Sequence, residues 1–305
     1  MKKIINKALN EYEIPGESFK KISSKCAKIT CVKGNCFIIK EVDVSAEEKF
    51  RFLDSNNVDN VIYPFINKNG NFTTVIDNKS YFVAPYYDNN NQIKEIKLQT
   101  LKKQLENIHT NTLFKKELSP LTTRKKLEQI FNYLRYKFDS IEAFVRSVEE
   151  RPFDEYSILI LREYHNILDA KIVLANLNKK LIDHIKAKKS VEYGFIHNNP
   201  KFSHLINNNQ KDYLISYENG KIGITTLDIV KLYIEAEEVD VNKKELFNEY
   251  FSRYDDNFYF DYFCFFVLLY YIKSLVIDDK DYVTSQSFVQ IGKSINKFIT
   301  DFNLK

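Results

Sequence analysis

Hydrophobic and polar positions alternate along the first third of the chain and recur at helical spacing along the rest. Phe19 to Ile22 is a short β-prone run. Ala27-Lys28-Ile29-Thr30-Cys31-Val32 alternates, Lys33-Gly34-Asn35 reads as a turn, and Cys36-Phe37-Ile38-Ile39-Lys40-Glu41-Val42 follows. Two β-rich runs around a short Gly-containing turn predict a hairpin. Ser45 with Glu48 three residues later has the form of a capping box and predicts a helix carrying Phe50, Phe52 and Leu53. Phe72 to Ile76 and Tyr81 to Pro85 predict two more strands around the turn Asp77-Asn78-Lys79. The expected order is β-β-β-α-β-β.

The polar stretch Tyr87-Asp88-Asn89-Asn90-Asn91 reads as a hinge or linker. Beyond it Leu98, Leu101, Leu105 and Ile108 recur at 3.6-type spacing, as do Leu127, Ile130, Phe131, Leu134 and Phe138. Ile158 to Ile185 predicts a long amphipathic helix. A non-helical interlude from about Tyr193 to Ile224 holds two short β-like pieces, and three or four helices finish the chain. No internal repeat is visible. The pattern therefore predicts a β-rich N-terminal lobe over residues 1–88 and a helical C-terminal lobe over residues 89–305.

Composition narrows the functional classes. The chain has 305 residues, enough to bury a substantial core without a disulfide or metal staple. Hydrophobic residues at 44% and charged residues at 28% exclude a mainly disordered, collagenous or coiled-coil architecture. Only 7 glycines argue against a propeller. A net charge of +4 from 45 basic and 41 acidic residues gives no basic stripe for nucleic acid. Met1-Lys2-Lys3-Ile4-Ile5-Asn6-Lys7 lacks the apolar run of a signal peptide. Tyr262 to Ile272 is continuously apolar but shorter than the ~20 residues that span a bilayer, so it reads as a buried helix, and the chain reads as soluble. Cys26, Cys31 and Cys36 are spaced by five, unlike the two-residue gap of zinc pairs. With Cys264 they read as small hydrophobes, and a cross-strand pairing of Cys31 with Cys36 stays open for an oxidising compartment.

A β-rich first third, a helical remainder and a β-loop-β insertion two-thirds along is the layout of protein-kinase-like phosphotransferases. With Lys40 ending the third run and the stretch around His197, the chain resembles the kinase-like family that includes aminoglycoside phosphotransferases and choline kinases. Within that family it most resembles the bacterial spore-coat S/I branch. The resemblance is diffuse and covers nearly the whole chain. It implies an α+β, two-lobed, protein-kinase-like fold, with a small antiparallel β lobe and a larger helical lobe.

The resemblance also implies a site. Lys40 stands where the family's strand lysine touches nucleotide phosphates, with Glu47 or Glu48 of the next helix as its ion-pair partner. The phosphate-covering turn corresponds to Ser23-Ser24-Lys25-Cys26, which has no glycine and offers Lys25 as a point charge. The family's catalytic loop reads His-Gly-Asp, four residues, then Asn. Here the stretch is Ile196-His197-Asn198-Asn199-Pro200-Lys201-Phe202-Ser203-His204. His197 matches, Asn199 replaces the base, and His204 replaces the metal-binding Asn. The next metal ligand falls at Ser216 in Leu214-Ile215-Ser216-Tyr217-Glu218, where only Glu218 keeps a carboxylate. Leu227-Asp228-Ile229-Val230-Lys231 resembles a later family segment in which Asp228 would tie the loop down.

An amide cannot accept a proton at neutral pH, and acid–base assistance is typically worth about 10²–10⁴-fold. Magnesium prefers oxygen donors to imidazole. No catalytic residue and no metal ligand set is intact, so no cofactor is expected. The resemblance then implies a pseudokinase with a structural or interaction role, with spore-coat proteins as partners, made in the cytoplasm and assembled into the spore coat. The alternatives are an ATP- and Mg-dependent phosphotransferase in which Glu218 holds the metal, and a nucleotide- or metabolite-sensing module. His109, His165 and His184 read as surface or packing residues. Phe251 to Tyr271 reads as core of the helical lobe.

Overall fold

The structure is a computed structural model and describes residues 2–16, 18–31, 34–89, 92–117, 119–188, 190–208, 211–278 and 280–305. Val32 and Lys33 of the expected hairpin, and Asn90 and Asn91 of the expected linker, lie outside the described residues.

In chain order the elements are α1 (Lys2–Glu11), β1 (Ser18–Lys21), β2 (Cys26–Thr30), β3 (Cys36–Val42), α2 (Ala46–Ser55), β4 (Thr74–Ile76), β5 (Lys79–Pro85) and α3 (Lys94–Thr112). They continue with β6 (Phe114–Glu117), α4 (Pro120–Glu149), α5 (Glu155–Ala187), β7 (Ser190–Ile196), β8 (Leu205–Asn207), β9 (Asp212–Leu214), β10 (Lys221–Gly223), α6 (Thr226–Glu235), α7 (Lys243–Phe251), α8 (Phe258–Ser274) and α9 (Asp281–Asp301). The strand-rich beginning and helical remainder match the alternation and the 3.6-residue recurrence of the sequence.

Packing divides the chain into two compact units. One comprises Met1–Phe114 with Glu192–Asp240, the other Lys115–Val191 with Val241–Lys305. The lobe boundary expected after residue 88 falls inside the first unit.

In the first unit five strands form an antiparallel sheet in the order β1-β2-β3-β5-β4. Pairing β2 with β3 sets Cys26 opposite Lys40 and Ala27 opposite Ile39. Period-two alternation then sends Ala27, Ile29, Ile39, Tyr81 and Val83 to one face. They pack there with Ile5, Ala8 and Leu9 of α1 and with Tyr12 just beyond it. This helix is absent from the expected β-β-β-α-β-β order. Its apolar residues recur every three or four positions, but over barely three turns behind two lysines. Lys40 leaves from the opposite face of the sheet.

Two further expectations are corrected. Ser45 precedes α2 without a side-chain capping bond, and the box with Glu48 is not formed. Asp43 instead accepts the Ser45 N–H through Oδ1 at 2.9 Å, and Glu47 turns to the Phe72 and Thr73 amides. The interlude carries β7 to β10 rather than two pieces: β7 pairs with β10, and β8 with β9. Strands of three residues are too short for periodicity to reveal.

In the second unit α4, α5, α8 and α9 pack through Phe138, Ile141, Ile160, Ile167, Phe265 and Phe288, all buried. Gly292 of α9 permits close approach to α5, since a Cβ there would lie 2.9 Å from Glu163 Oε2. The apolar run Tyr262 to Ile272 lies within α8 and is largely buried, as expected of a core helix. Among the described residues no helix is long and apolar enough to cross a membrane. All four cysteines are free thiols. The residue opposite Cys36 in register is Thr30, not Cys31.

Candidate functional site

The first unit brings the strand lysine and the loop residues together. β7 is buried along Gly194, Phe195 and Ile196 and delivers a fully buried His197 to the loop that follows. Asp228, at the start of α6, is fully buried beneath that loop. Its Oδ2 accepts the His197 N–H at 2.6 Å and its Oδ1 the Asn198 N–H at 2.7 Å. His109 Nε2 of α3 donates to Oδ2 at 3.2 Å. A carboxylate that accepts two amides and an imidazole fixes the loop by charge-assisted bonds. Asp228 thus ties the loop down as the sequence predicts. His109 is a buried partner of that carboxylate, a contact with no signature in the sequence around it.

His197 is also fully buried. Its Nε2 lies 2.6 Å from the Ile215 carbonyl, so Nε2 carries the proton and donates. Its Nδ1 accepts the Asn199 N–H at 3.3 Å. Burial pulls the His197 pKa down, with Asp228 opposing, so the ring is held neutral. His197 therefore positions the backbone before β8 and after β9.

Asn198 has φ +66°. That left-handed conformation favours glycine, and asparagine tolerates it better than most residues. Here its carbonyl and its side-chain oxygen accept from Lys231 Nζ at 2.5 and 2.6 Å, which holds the turn. Gly220, closing the same region, is required by space: a Cβ there would lie 2.2 Å from the Phe195 ring.

His204 donates from Nδ1 to the Asn199 carbonyl at 2.8 Å. Burial lowers its pKa, partly opposed by that bond. The Ile215 N–H returns to the His204 carbonyl at 2.9 Å. This sets Ser216, with φ +73°, at the end of the β9 segment. A serine in the left-handed region is uncommon and strained by about 1–2 kcal/mol.

Lys40 reaches this segment. Its Nζ lies 2.5 Å from Glu218 Oε1 and donates to Ser216 Oγ at 3.3 Å. The side chains of Lys40 and Glu218 are 24% and 10% exposed, so the pair is largely withdrawn from water. Lys49 of α2 donates to the Glu218 carbonyl at 2.6 Å. Among the described residues Glu218 Oε2 is buried without a hydrogen-bond partner.

The expected partners of Lys40 are corrected by this geometry. Glu47 is occupied by Arg51, at 2.7 Å, and by the backbone at Thr73. Glu48 is exposed on the solvent side of α2 and does not meet Lys40. The carboxylate comes from 178 residues away, which no local pattern announces. Lys25 is exposed in its turn, where its N–H bonds Ser23 Oγ at 3.3 Å. The structure thus joins Lys40, Ser216 and Glu218 directly and sets His197, Asn199 and His204 in the adjoining loop. Lys49, Lys231 and His109 belong to the same construction and were not singled out as site residues from sequence.

A bound magnesium nucleotide is the group this type of fold implies. The donors present fit it poorly. Magnesium asks for near-octahedral oxygen ligation. The candidate positions supply an imidazole at His204, a hydroxyl already facing Lys40 at Ser216, and one carboxylate already bridged to that lysine.

No family model matches this chain, and no curated protein matches it in sequence. Solved structures do match. An aminoglycoside phosphotransferase from Alicyclobacillus acidocaldarius superposes with a TM-score of 0.70 at 13% identity, covering 98% of this chain and 95% of that one. The chain has a kinase-like fold. The amicoumacin kinase hAmiN, solved with AMP-PNP and Ca2+, superposes with a TM-score of 0.54 at 13% identity, over 96% of this chain and 93% of its own. A thermostable mutant of aminoglycoside phosphotransferase APH(4)-Ia gives 0.52 at 9% identity, over 98% of both chains. At such identities the likeness concerns the fold, which is the two-lobed α+β kinase-like class that the sequence predicts.

Proposed function

We propose that the chain is a catalytically degenerate kinase-like protein, a pseudokinase with a structural or interaction role. The observation that carries this reading is the closure of Lys40 by Glu218 and Ser216. A lysine that handles phosphates must offer its ammonium to an incoming anion. Here the ammonium is paired not with a glutamate of α2 but with Ser216 and Glu218, the side chains that stand where metal ligands are expected, in a largely buried contact that an incoming metal nucleotide would have to break. At the position expected of a base, Asn199 offers an amide, which cannot take a proton. The family resemblance of the sequence suggests the setting: assembly among spore-coat proteins after synthesis in the cytoplasm.

A second reading, an ATP-dependent phosphotransferase with Glu218 as a metal ligand, is favoured by one observation. Glu218 Oε2 is buried and lacks a partner, as an oxygen reserved for a cation would be. One such oxygen is a small part of the coordination that magnesium requires. A phosphoryl-transfer assay with ATP and Mg, offered small-molecule and protein acceptors, tests the choice. The proposed role predicts no turnover. Turnover that disappears in both Lys40→Ala and Glu218→Gln would establish the second reading.

A further inference from the structure

The longest helix, α5, carries a pattern that its own packing does not use. Its buried face runs through Ile160, Ile167, Leu174 and Leu181. On another face Ile158, Leu161, His165, Leu168, Ile172 and Ala175 succeed one another at alternating spacings of three and four. Ile158 is 60% exposed, Leu168 36% and Ile172 61%. His165 and Ala175 are exposed and Leu161 is half-buried. At 1.5 Å per residue the stripe is about 26 Å long. A strict three-four alternation is narrower than the broad face by which a helix joins a globular core. It is the seam by which one helix pairs with another.

We propose that this face of α5 docks a second copy of the same chain, the two helices running antiparallel about a twofold axis. Charge selects the occupant and the direction. In an antiparallel pair the two kinds of seam position face each other, and flanking positions on one side meet their own kind. Setting Leu161 against the partner's Ile172 puts His165 against the partner's Leu168 and Ile158 against the partner's Ala175. The same register brings Arg162 to the partner's Asp169, and the twofold axis makes that contact twice. A parallel pair would instead oppose Arg162 with Ser157 and Asp169 with Tyr164, which gives no pairing of opposite charges. Arg162 keeps 56% of its side chain exposed while its Nε donates to Glu163 at 3.1 Å, so the guanidinium stays within reach of a partner. Asp169 is bound to Lys305 at 2.6 Å with 26% of its side chain exposed, so a carboxylate edge remains accessible. This interface is independent of the chemistry at Lys40.

Light scattering and sedimentation of the full chain over a range of concentrations test it. The expected result is a mass that rises from one chain toward two as concentration approaches ~100 μM, a range suited to a modest interface. Ile172→Glu should raise the dissociation constant by about tenfold or more. Arg162→Asp should weaken the dimer, and Arg162→Asp combined with Asp169→Arg should restore it. Circular dichroism of each variant verifies that the exposed substitutions leave the helix folded. A wild-type chain that stays monomeric would overturn the proposal, as would a dimer indifferent to Ile172→Glu. Failure of the double variant to recover would overturn the antiparallel register.

Discussion

Asp228 and Glu218 are two carboxylates of the same compact unit with opposite degrees of completion. Asp228 is fully buried and receives two backbone amides and an imidazole. Glu218 has one oxygen bridged to Lys40 and the other buried without a partner. The first is a finished structural bond, the second a closed but imperfect latch. Their difference separates the parts that hold the loop from the parts that would act on a substrate. The holding parts, His197, Asp228 and His109, are in place. Asn199, His204 and Ser216, where the family resemblance would set the acting groups, carry no carboxylate. The shape of this loop therefore depends on Asp228 and not on Asn199, His204 or Ser216.

The largest expected effect follows from removing the finished bond. Asp228→Ala should destabilise the chain by about 3–5 kcal/mol, because a buried acceptor of three donors is lost at once. Chemical denaturation measures this, and a loss below 1 kcal/mol would put the loop's anchor elsewhere. Opening the latch should matter less. Glu218→Gln leaves Lys40 partly buried beside an amide and should cost about 1–2 kcal/mol. If Asp228→Ala and Glu218→Gln cost the same, the distinction between anchor and latch fails. Asn198→Ala should cost about 1 kcal/mol through its left-handed backbone, whereas Asn198→Gly should cost a few tenths.

The gentlest perturbation is pH. Burial lowers the pKa of His197, His204 and His184 below the ordinary 6.5. The unfolded chain then binds more protons than the folded one below about pH 6.5, and stability falls as pH drops through that range. Above it these histidines contribute no slope. A melting temperature that rises on acidification from pH 7 to pH 5 would contradict the neutral, buried state of His197.

The fold was legible in the sequence to the extent that its elements are long or strictly patterned. β3 and the helices α3, α5 and α8 follow from periodicity, and the anchoring role of Asp228 follows from the family resemblance of Leu227-Asp228-Ile229-Val230-Lys231. What was not legible is of two kinds. Short elements lack a period: α1 has few turns, and β8, β9 and β10 have three residues each. Distant contacts have no local trace. The Lys40–Glu218 pair joins residues 178 apart, and the expectation that Glu47 or Glu48 would serve came from the family resemblance, which sets the partner on the next helix. Glu47 was diverted because the Thr73 amide and Arg51 offered closer donors. The absent capping bond at Ser45 has a similar cause, since Asp43 already accepts its amide.

The central claim is that Lys40 is closed by its own chain and not held open for a phosphate. Thermal unfolding with ATP, ADP and GTP, each with and without Mg or Mn, tests it most directly. The wild-type chain should melt at an unchanged temperature in every mixture. A ligand at 100 times its dissociation constant would stabilise the fold by about 2.7 kcal/mol, and a shift of that size that disappears in Lys40→Ala would contradict the closure of the site.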